Sequence, residues 1–287
     1  MSTAAGITPG YLAPPAERAA DWLRQLAVFT LIGVILLPIA WIVVTAFKLP
    51  RDVYSLETAL WFTPTLENLR TVFQHPWNLG SKIVNSVLVA GGTVLLAIPM
   101  ATMAAYAFSR YDFRFKQAIF LTVIASQFIP AAIVVLPYFL MFKQLGLLDT
   151  RTALVLINLS IVLPYAVWMI KGFIDAVPLE IEESAQVDGA SRARVIAEIV
   201  VPAALPGIIT AAVFSFTLTW NEFLFALILT KQDALTLPIG LIGFRTERGD
   251  LWELMAAAGM IITVPMILIS LAVHKQFIGS LTAGSTK

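Results

Sequence analysis

The sequence predicts an all-α integral membrane protein with six transmembrane helices. Of its 287 residues, 59% are hydrophobic and 13% are charged, a composition too apolar for an ordinary soluble domain. The charges are unevenly distributed, because six windows contain no Asp, Glu, Lys or Arg or only one. Each window is close to the roughly 20 residues with which a helix crosses a hydrocarbon core of about 30 Å. The windows are Leu26 to Phe47, Ile83 to Ser109, Gln117 to Phe142, Thr152 to Ile170, Ala203 to Thr230 and Leu254 to Val273.

These windows divide the chain into a membrane domain, residues 26–273, and two tails, residues 1–25 and 274–287. The first window is longer than a signal-peptide core and lacks a basic start, so we expect a retained helix. Six crossings place both tails on the same side. Basic residues are divided almost evenly between the two sides, but the short connection from Arg110 to Lys116 is basic and favours cytoplasmic tails.

Small residues and prolines predict how the helices pack. The second window is rich in alanine and glycine, which lets helix backbones approach closely, so this helix should be central. Every window contains proline, which removes a backbone hydrogen bond and favours a kink. The prolines are Pro38, Pro99, Pro130, Pro137, Pro164, Pro206 and Pro265.

Several kinds of chemistry are disfavoured. The chain has no cysteine, and its two histidines lie outside the apolar windows, so a metal site is not expected. The sequence also lacks a G-x-x-x-x-G-K-[ST] loop, which would hold the phosphates of ATP. The net charge of +1 gives no indication of nucleic-acid binding.

A charged island, Glu180 to Pro202, separates the fourth and fifth windows. Pro178 suits the first turn of a helix, and the glutamates that follow it favour a helix N-terminus. Gly189 can adopt the left-handed turn that ends such a helix. Ser191 can then cap a second short helix, which we expect Pro202 to stop. The island therefore predicts a helix–turn–helix hairpin.

The same residues resemble the EAA motif of permease subunits in ABC importers, which reads E-A-A, three residues, G, nine residues, I-x-L-P. Ser184 and Val201 replace Ala and Leu of the pattern, and both changes are small in size. The matching run is Glu183-Ser184-Ala185, Gly189 and Ile199-Val200-Val201-Pro202.

Further stretches are similar to the sugar-importing, maltose-transporter subgroup, and with them the resemblance covers nearly everything after residue 26. They are Asn85-Ser86, GLLDTR at 146–151, Trp220-Asn221-Glu222-Phe223, TLPIGL at 236–241 and the glycine-containing segment 279–284. The resemblance implies the type I importer permease fold in a bacterial inner membrane. It also implies a second permease, forming a heterodimer with this chain, an external solute-binding protein, and cytoplasmic ATPase subunits that bind ATP and Mg²⁺.

In such importers the hairpin, here the coupling loop 175–205, fits a cleft on the ATPase and drives alternating access. The resemblance implies a polar contact for Glu183 and the turn for Gly189. The residues assigned to ATPase coupling are Glu183, Ala185, Asp188, Gly189, Ile199 and Pro202.

Candidate residues for a solute pathway lie in the apolar windows. Glu222 is the only ionisable side chain there, and a buried carboxylate must face protein or water. Trp220 and Asn221 beside it could stack on and hydrogen-bond to a sugar, and Gln127 and Asn158 are polar candidates in other windows. Glu222 is equally consistent with an ion pair to a sister subunit.

The predicted function is therefore that of a non-enzymatic permease subunit for a sugar or related polyol. A proton-coupled secondary transporter that uses Glu222 is the alternative, although it would need a second buried titratable group. An intramembrane hydrolase would need a base in the apolar windows, where the sequence offers neither a histidine nor a second carboxylate. The particular solute stays open.

Overall fold

The computed structural model describes residues 15–55, 57–247 and 249–283, and almost all regular structure in them is helical. In chain order the elements are α1 (Pro15–Ala46), α2 (Pro50–Val53), α3 (Glu67–Thr71), α4 (Leu79–Arg110), α5 (Lys116–Ala125), a 3₁₀ turn (Ser126–Phe128), α6 (Ala131–Gln144), α7 (Arg151–Asp175), α8 (Leu179–Val187), α9 (Arg192–Val195), a π-helical segment (Ile196–Val200), α10 (Val201–Trp220), α11 (Leu224–Leu229), α12 (Leu237–Ile242), the antiparallel pair β1 (Arg245–Thr246) and β2 (Gly249–Asp250), and α13 (Trp252–Ala283).

Within the described residues, five helices are long and apolar enough to cross a membrane, and the bent pair α5–α6 makes six if it forms one crossing. Where the sequence predicts one continuous helix from Gln117 to Phe142, the two arms meet at 96°. The cause is Pro130, which fixes its own φ and disfavours helix at the preceding residue, so that Ile129 is extended (φ −75°, ψ 118°). The other named prolines lie inside helices that continue through them.

The centre of the bundle is formed by α4, α7 and α10. The small residues of α4 face this centre, as predicted, and Ala97, Ala101 and Ala105 are fully buried. The close approach of α7 and α10 requires glycine at position 207, because a Cβ there would lie 2.1 Å from Cγ of Phe173. By contrast, α1 lies at the periphery against α13 and exposes its apolar side chains.

The first and last helices extend beyond their apolar windows. The first helix begins at Pro15, well before the apolar window, and the last continues to Ala283. Residues 1–14 and 284–287 of the predicted tails lie outside the described residues. Helix propensity without interruption by glycine or proline explains the early start, because Ala, Glu, Arg and Leu dominate the stretch between Pro15 and Leu26.

Candidate functional site

The predicted hairpin is present, and its turn is a Schellman motif at the end of α8. Gly189 has φ +89°, a conformation that side-chain-bearing residues rarely adopt. The N–H of Ala190 donates to the carbonyl of Ala185 (2.9 Å), and the N–H of Gly189 donates to that of Gln186 (3.0 Å). These two bonds satisfy carbonyls that the end of a helix leaves free. The glycine identified from sequence therefore sets the shape of the tip.

The second arm of the hairpin runs without interruption into the fifth span. Ser191 caps it, its hydroxyl accepting from the N–H of Arg194 (3.4 Å), and helical structure then extends to Trp220. The prediction that Pro202 stops this arm is wrong. A π-helical segment, Ile196–Val200, precedes Pro202, and its wider turn accommodates the carbonyl that a proline leaves without its donor. The second arm and α10 thus form one continuous helical segment.

The first arm is fixed to the bundle by a buried ion pair that sequence reasoning missed. The carboxylate of Glu182, 1% exposed, accepts from Nε of Arg110 at 2.7 Å and from the hydroxyl of Tyr106 at 3.0 Å. Arg110 also donates to the carbonyls of Ile174 and Val177 at the end of α7. One guanidinium thereby joins the ends of α4 and α7 to α8.

A second contact ties the tip side of the hairpin to the same place. The guanidinium of Arg192 donates to the hydroxyl of Tyr111 (2.7 Å) and lies 5.2 Å from the centre of its ring. Apolar packing reinforces this attachment, because Val195 and Val200 are fully buried in a core cluster that includes Ile170 and Ala101. The hairpin is therefore an extension of the bundle rather than a loose loop.

The side chains assigned to ATPase coupling lie mostly on the open side of the hairpin. Glu183, Asp188 and Gly189 at and near the tip are exposed, as is Pro202, whereas Ala185 and Ile199 are half-buried. Val187 is 87% exposed next to the turn. The hairpin thus offers a mixed polar and apolar surface that has no cover among the described residues.

At the opposite end of the bundle, the motif segments that are separated in sequence meet. The amide nitrogen of Asn85 donates to the carbonyls of Asp233 and Leu235 (both 2.9 Å), and its oxygen accepts from Nε of Arg151 (2.7 Å). The hydroxyl of Ser86 accepts from the N–H of Leu237 (2.8 Å). These bonds attach the connection between α11 and α12 to the beginnings of α4 and α7.

Asp149 strengthens the same attachment. Its carboxylate accepts from the four consecutive backbone N–H groups of residues 231–234, at 3.0 to 3.2 Å. Partial burial raises the pKa of Asp149, but these four donors outweigh burial and leave the pKa below its ordinary value. The aspartate of the GLLDTR stretch is therefore a loop anchor.

The predicted pathway residues do not come together at one site. Trp220 is 1% exposed and stacks on Phe216 in the core (ring centroids 5.4 Å apart), and Asn158 is buried and donates to the carbonyl of Leu154. Asn221 is exposed but its amide donates to Thr217 of its own helix. Trp220 and Asn158 are therefore packed inside the described part of the bundle.

Glu222 has a structural partner within its own segment. The helix of the fifth span ends at Trp220 and restarts as α11, and the Glu222 carboxylate accepts from the N–H groups of Phe225 (2.8 Å) and Ala226 (3.0 Å). Both oxygens therefore cap the first turn of α11, where orphan donors would otherwise lie unsatisfied. No ion pair involves Glu222 among the described residues.

Gln127, unlike the other predicted pathway residues, lines the two cavities at the bend of the third span. It lies at the bend between α5 and α6, where a cavity of about 540 Å³ extends to α7, α10 and α11. A second cavity of about 320 Å³ shares Gln127, Phe128 and Tyr165 with the first. The bend in the third window thus produces the opening that proline patterns alone could not locate.

Comparison with known proteins gives a consistent result. A family model for the binding-protein-dependent transport system inner membrane component matches residues 97–280. The permease protein DasC of the diacetylchitobiose uptake system of Streptomyces coelicolor is 30% identical over 271 residues, covering 93% of this chain and 96% of DasC. The trehalose transport permease SugB of Mycobacterium tuberculosis is 30% identical over 277 residues, covering 95% and 99%.

The fold also matches a solved structure. A chain of a bacterial ABC transporter that imports the acidic polysaccharide alginate superposes with a TM-score of 0.78, at 18% identity, covering 93% of this chain and 99% of that one. The chain belongs to the family of binding-protein-dependent transport system inner membrane components. It is an integral inner-membrane permease subunit of an ABC transporter, and a transport subunit rather than an enzyme.

Proposed function

We propose that this chain forms half of the membrane pathway of a bacterial importer for a sugar or related polyol, with a second permease as its heterodimeric partner. Two cytoplasmic ATPase subunits, which bind ATP and Mg²⁺, supply the energy, and an extracytoplasmic binding protein delivers the solute. Relatives named for diacetylchitobiose, trehalose and maltose support the solute class.

The observation that carries the proposal is the rigid attachment of an exposed hairpin. The tip around Gly189 is uncovered, while Glu182 in the same arm is locked to α4 and α7 and the second arm is continuous with α10. A push on the tip therefore moves all three central helices together. The hairpin and both tails then lie in the cytoplasm, and residues 231–251 face the binding protein.

A single-thiol experiment tests orientation and docking, because the chain has no native cysteine. Val187→Cys places a thiol at the exposed tip, and Gln232→Cys places one at the exposed opposite end. In sealed right-side-out vesicles, a membrane-impermeant maleimide should label position 232 and leave position 187 unlabelled. In the assembled complex, a short bifunctional reagent should cross-link position 187 to an ATPase subunit.

Reversed labelling, or a tip thiol that cross-links only to lipid or to this chain, would contradict the docking proposal. The alternative of a proton-coupled transporter is not supported, because family membership favours the ABC subunit and both oxygens of Glu222 cap α11.

A further inference from the structure

The break between α5 and α6 interrupts backbone hydrogen bonding at the middle of the membrane. The nearest part of α7 is around Tyr165, which lies roughly 21 Å along the helix from Arg151 and roughly 15 Å from Asp175 at a rise of about 1.5 Å per residue. Irregular backbone at this depth is tolerated only where it is buried in protein or lines a water-filled cavity. Phe128 is 83% exposed, so the described part of this chain does not cover the break.

Polar side chains without partners surround this break. The amide of Gln127 and the hydroxyls of Tyr138 and Tyr165 make no hydrogen bond to any other described residue, although all three line the larger cavity. A polar group at bilayer depth costs several kcal/mol when it stays unsatisfied, on the order of 4–8 for transfer to hydrocarbon. These groups therefore require a polar partner beyond the described residues, such as water or a polar solute.

The tyrosine rings pack against phenylalanine rings of neighbouring helices. The ring of Tyr138 packs edge-on against Phe225 with centroids 6.1 Å apart, and Tyr165 packs edge-on against Phe214 at 5.8 Å. Such contacts fix ring orientation and leave the hydroxyls pointing where no described residue meets them. A preformed set of one amide and two phenols beside exposed aromatic faces is typical of a site that recognises hydroxyl-rich ligands.

No Asp, Glu, Lys or Arg occurs among the described residues that line the two cavities. An acidic or phosphorylated solute would lose its hydration here without gaining a compensating charge. We infer that the bend between α5 and α6 is a contact site for a neutral saccharide, with Gln127, Tyr138 and Tyr165 as hydrogen-bonding residues and Phe128 and Trp168 as stacking faces. This inference rests on the proposed function and narrows its solute class.

Solute protection of a thiol tests the site in the assembled transporter with its binding protein. Gln127→Cys and Tyr165→Cys are treated with a small polar methanethiosulfonate, with and without trehalose, maltose or diacetylchitobiose, and modification of this chain is read by mass. A sugar at about ten times its dissociation constant leaves about a tenth of the sites free, so labelling should fall about tenfold. Arg24→Cys, at an exposed position near the start of the peripheral helix α1, is the control and should label equally with and without sugar.

Two results would overturn the inference. One is a reactive thiol at position 127 that no neutral sugar protects, even a sugar that stimulates ATP hydrolysis; protection by a uronic-acid oligosaccharide alone would count the same way. The other is a thiol that never reacts because a second permease covers it, which would make the bend a subunit contact. In either case sugar-stimulated ATP hydrolysis by the complex would still support the proposed function, whereas its absence with every sugar would count against the function itself.

Discussion

Replacing Glu182 by glutamine tests whether the hairpin moves with the bundle. The substitution keeps the shape of the side chain and removes its charge. Arg110, 12% exposed, then keeps its hydrogen bonds to the carbonyls of Ile174 and Val177 but loses its only salt bridge among the described residues. Breaking a buried ion pair costs about 3–5 kcal/mol, and the remaining carbonyl acceptors favour the lower value.

A cost of about 3 kcal/mol corresponds to roughly a 100-fold shift in the equilibrium between attached and detached α8. Hydrogen exchange of the α8 amides measures this equilibrium directly and should accelerate by about that factor. In proteoliposomes, the amount of solute imported per ATP hydrolysed should fall, because closure of the ATPases would no longer move α4 and α7 with the tip.

Glu180→Gln is the matched control. It makes the same change on the same helix, but the Glu180 side chain is exposed and forms no ion pair in the described part of the chain, so we expect exchange within a few-fold of the parent protein. Adding Arg110→Gln to Glu182→Gln should recover part of the loss, because no buried charge is then left unpaired. Equal exchange in Glu182→Gln and Glu180→Gln would refute the reasoning.

Three further outcomes are expected. Gly189→Ala forces a side chain into a left-handed turn at a cost of about 1–2 kcal/mol and should weaken ATPase association about tenfold in a pull-down titration. Gly172→Ala is the control, because Gly172 lies on a helix with no atom within 4 Å of the added Cβ, and it should leave ATPase association unchanged. Gly207→Ala places a Cβ 2.1 Å from the Phe173 ring and should lower the melting temperature of the complex or prevent its assembly. Gly259→Ala is the control, because nothing lies within 4 Å of its Cβ, and it should change neither melting temperature nor assembly. Equal melting temperatures for the two variants would contradict the close packing of α7 against α10. The pKa of Asp149 is lowered in the folded chain, so the stability that its carboxylate contributes is fully present above the ordinary aspartate pKa and is lost as the pH falls through the folded value. Asp149→Asn should therefore speed amide exchange in the loop 231–234 at neutral pH, and in the parent protein that loop should loosen only below the ordinary aspartate pKa of about 4.

The sequence was most informative where local chemistry decides structure. Long uncharged windows predict membrane spans because the free energy of placing a residue in the bilayer depends mainly on that residue's own charge and hydrophobicity. Gly189 and Ser191 marked the ends of the hairpin arms because turn and cap preferences are local, and the structure confirms both. The predicted helix end at Pro202 is wrong because the π-helical segment before it accommodates the backbone hydrogen bond that proline cannot make, and local sequence preferences do not predict such a segment.

Pathway residues were harder to predict because depth and exposure belong to the assembled bundle. Trp220 and Asn158 can form hydrogen bonds and lie in apolar windows, yet packing buries both. Glu222 caps the first turn of α11, where the helix of the fifth span restarts. Glu182 looked like one of several first-turn glutamates. Its partner Arg110 lies 72 positions away in the chain, so no local pattern could reveal the pair.

By itself, the sequence determined the class of the protein, the number of apolar segments and the position and turn of the hairpin, because each follows from short-range hydrophobicity, backbone preference and motif spacing. Tertiary structure alone decided which glutamate fixes the hairpin to the bundle, that the third segment bends by 96°, and which polar side chains are left facing a cavity. Those outcomes depend on contacts between residues far apart in the chain, where burial and geometry, rather than residue type, set the energy.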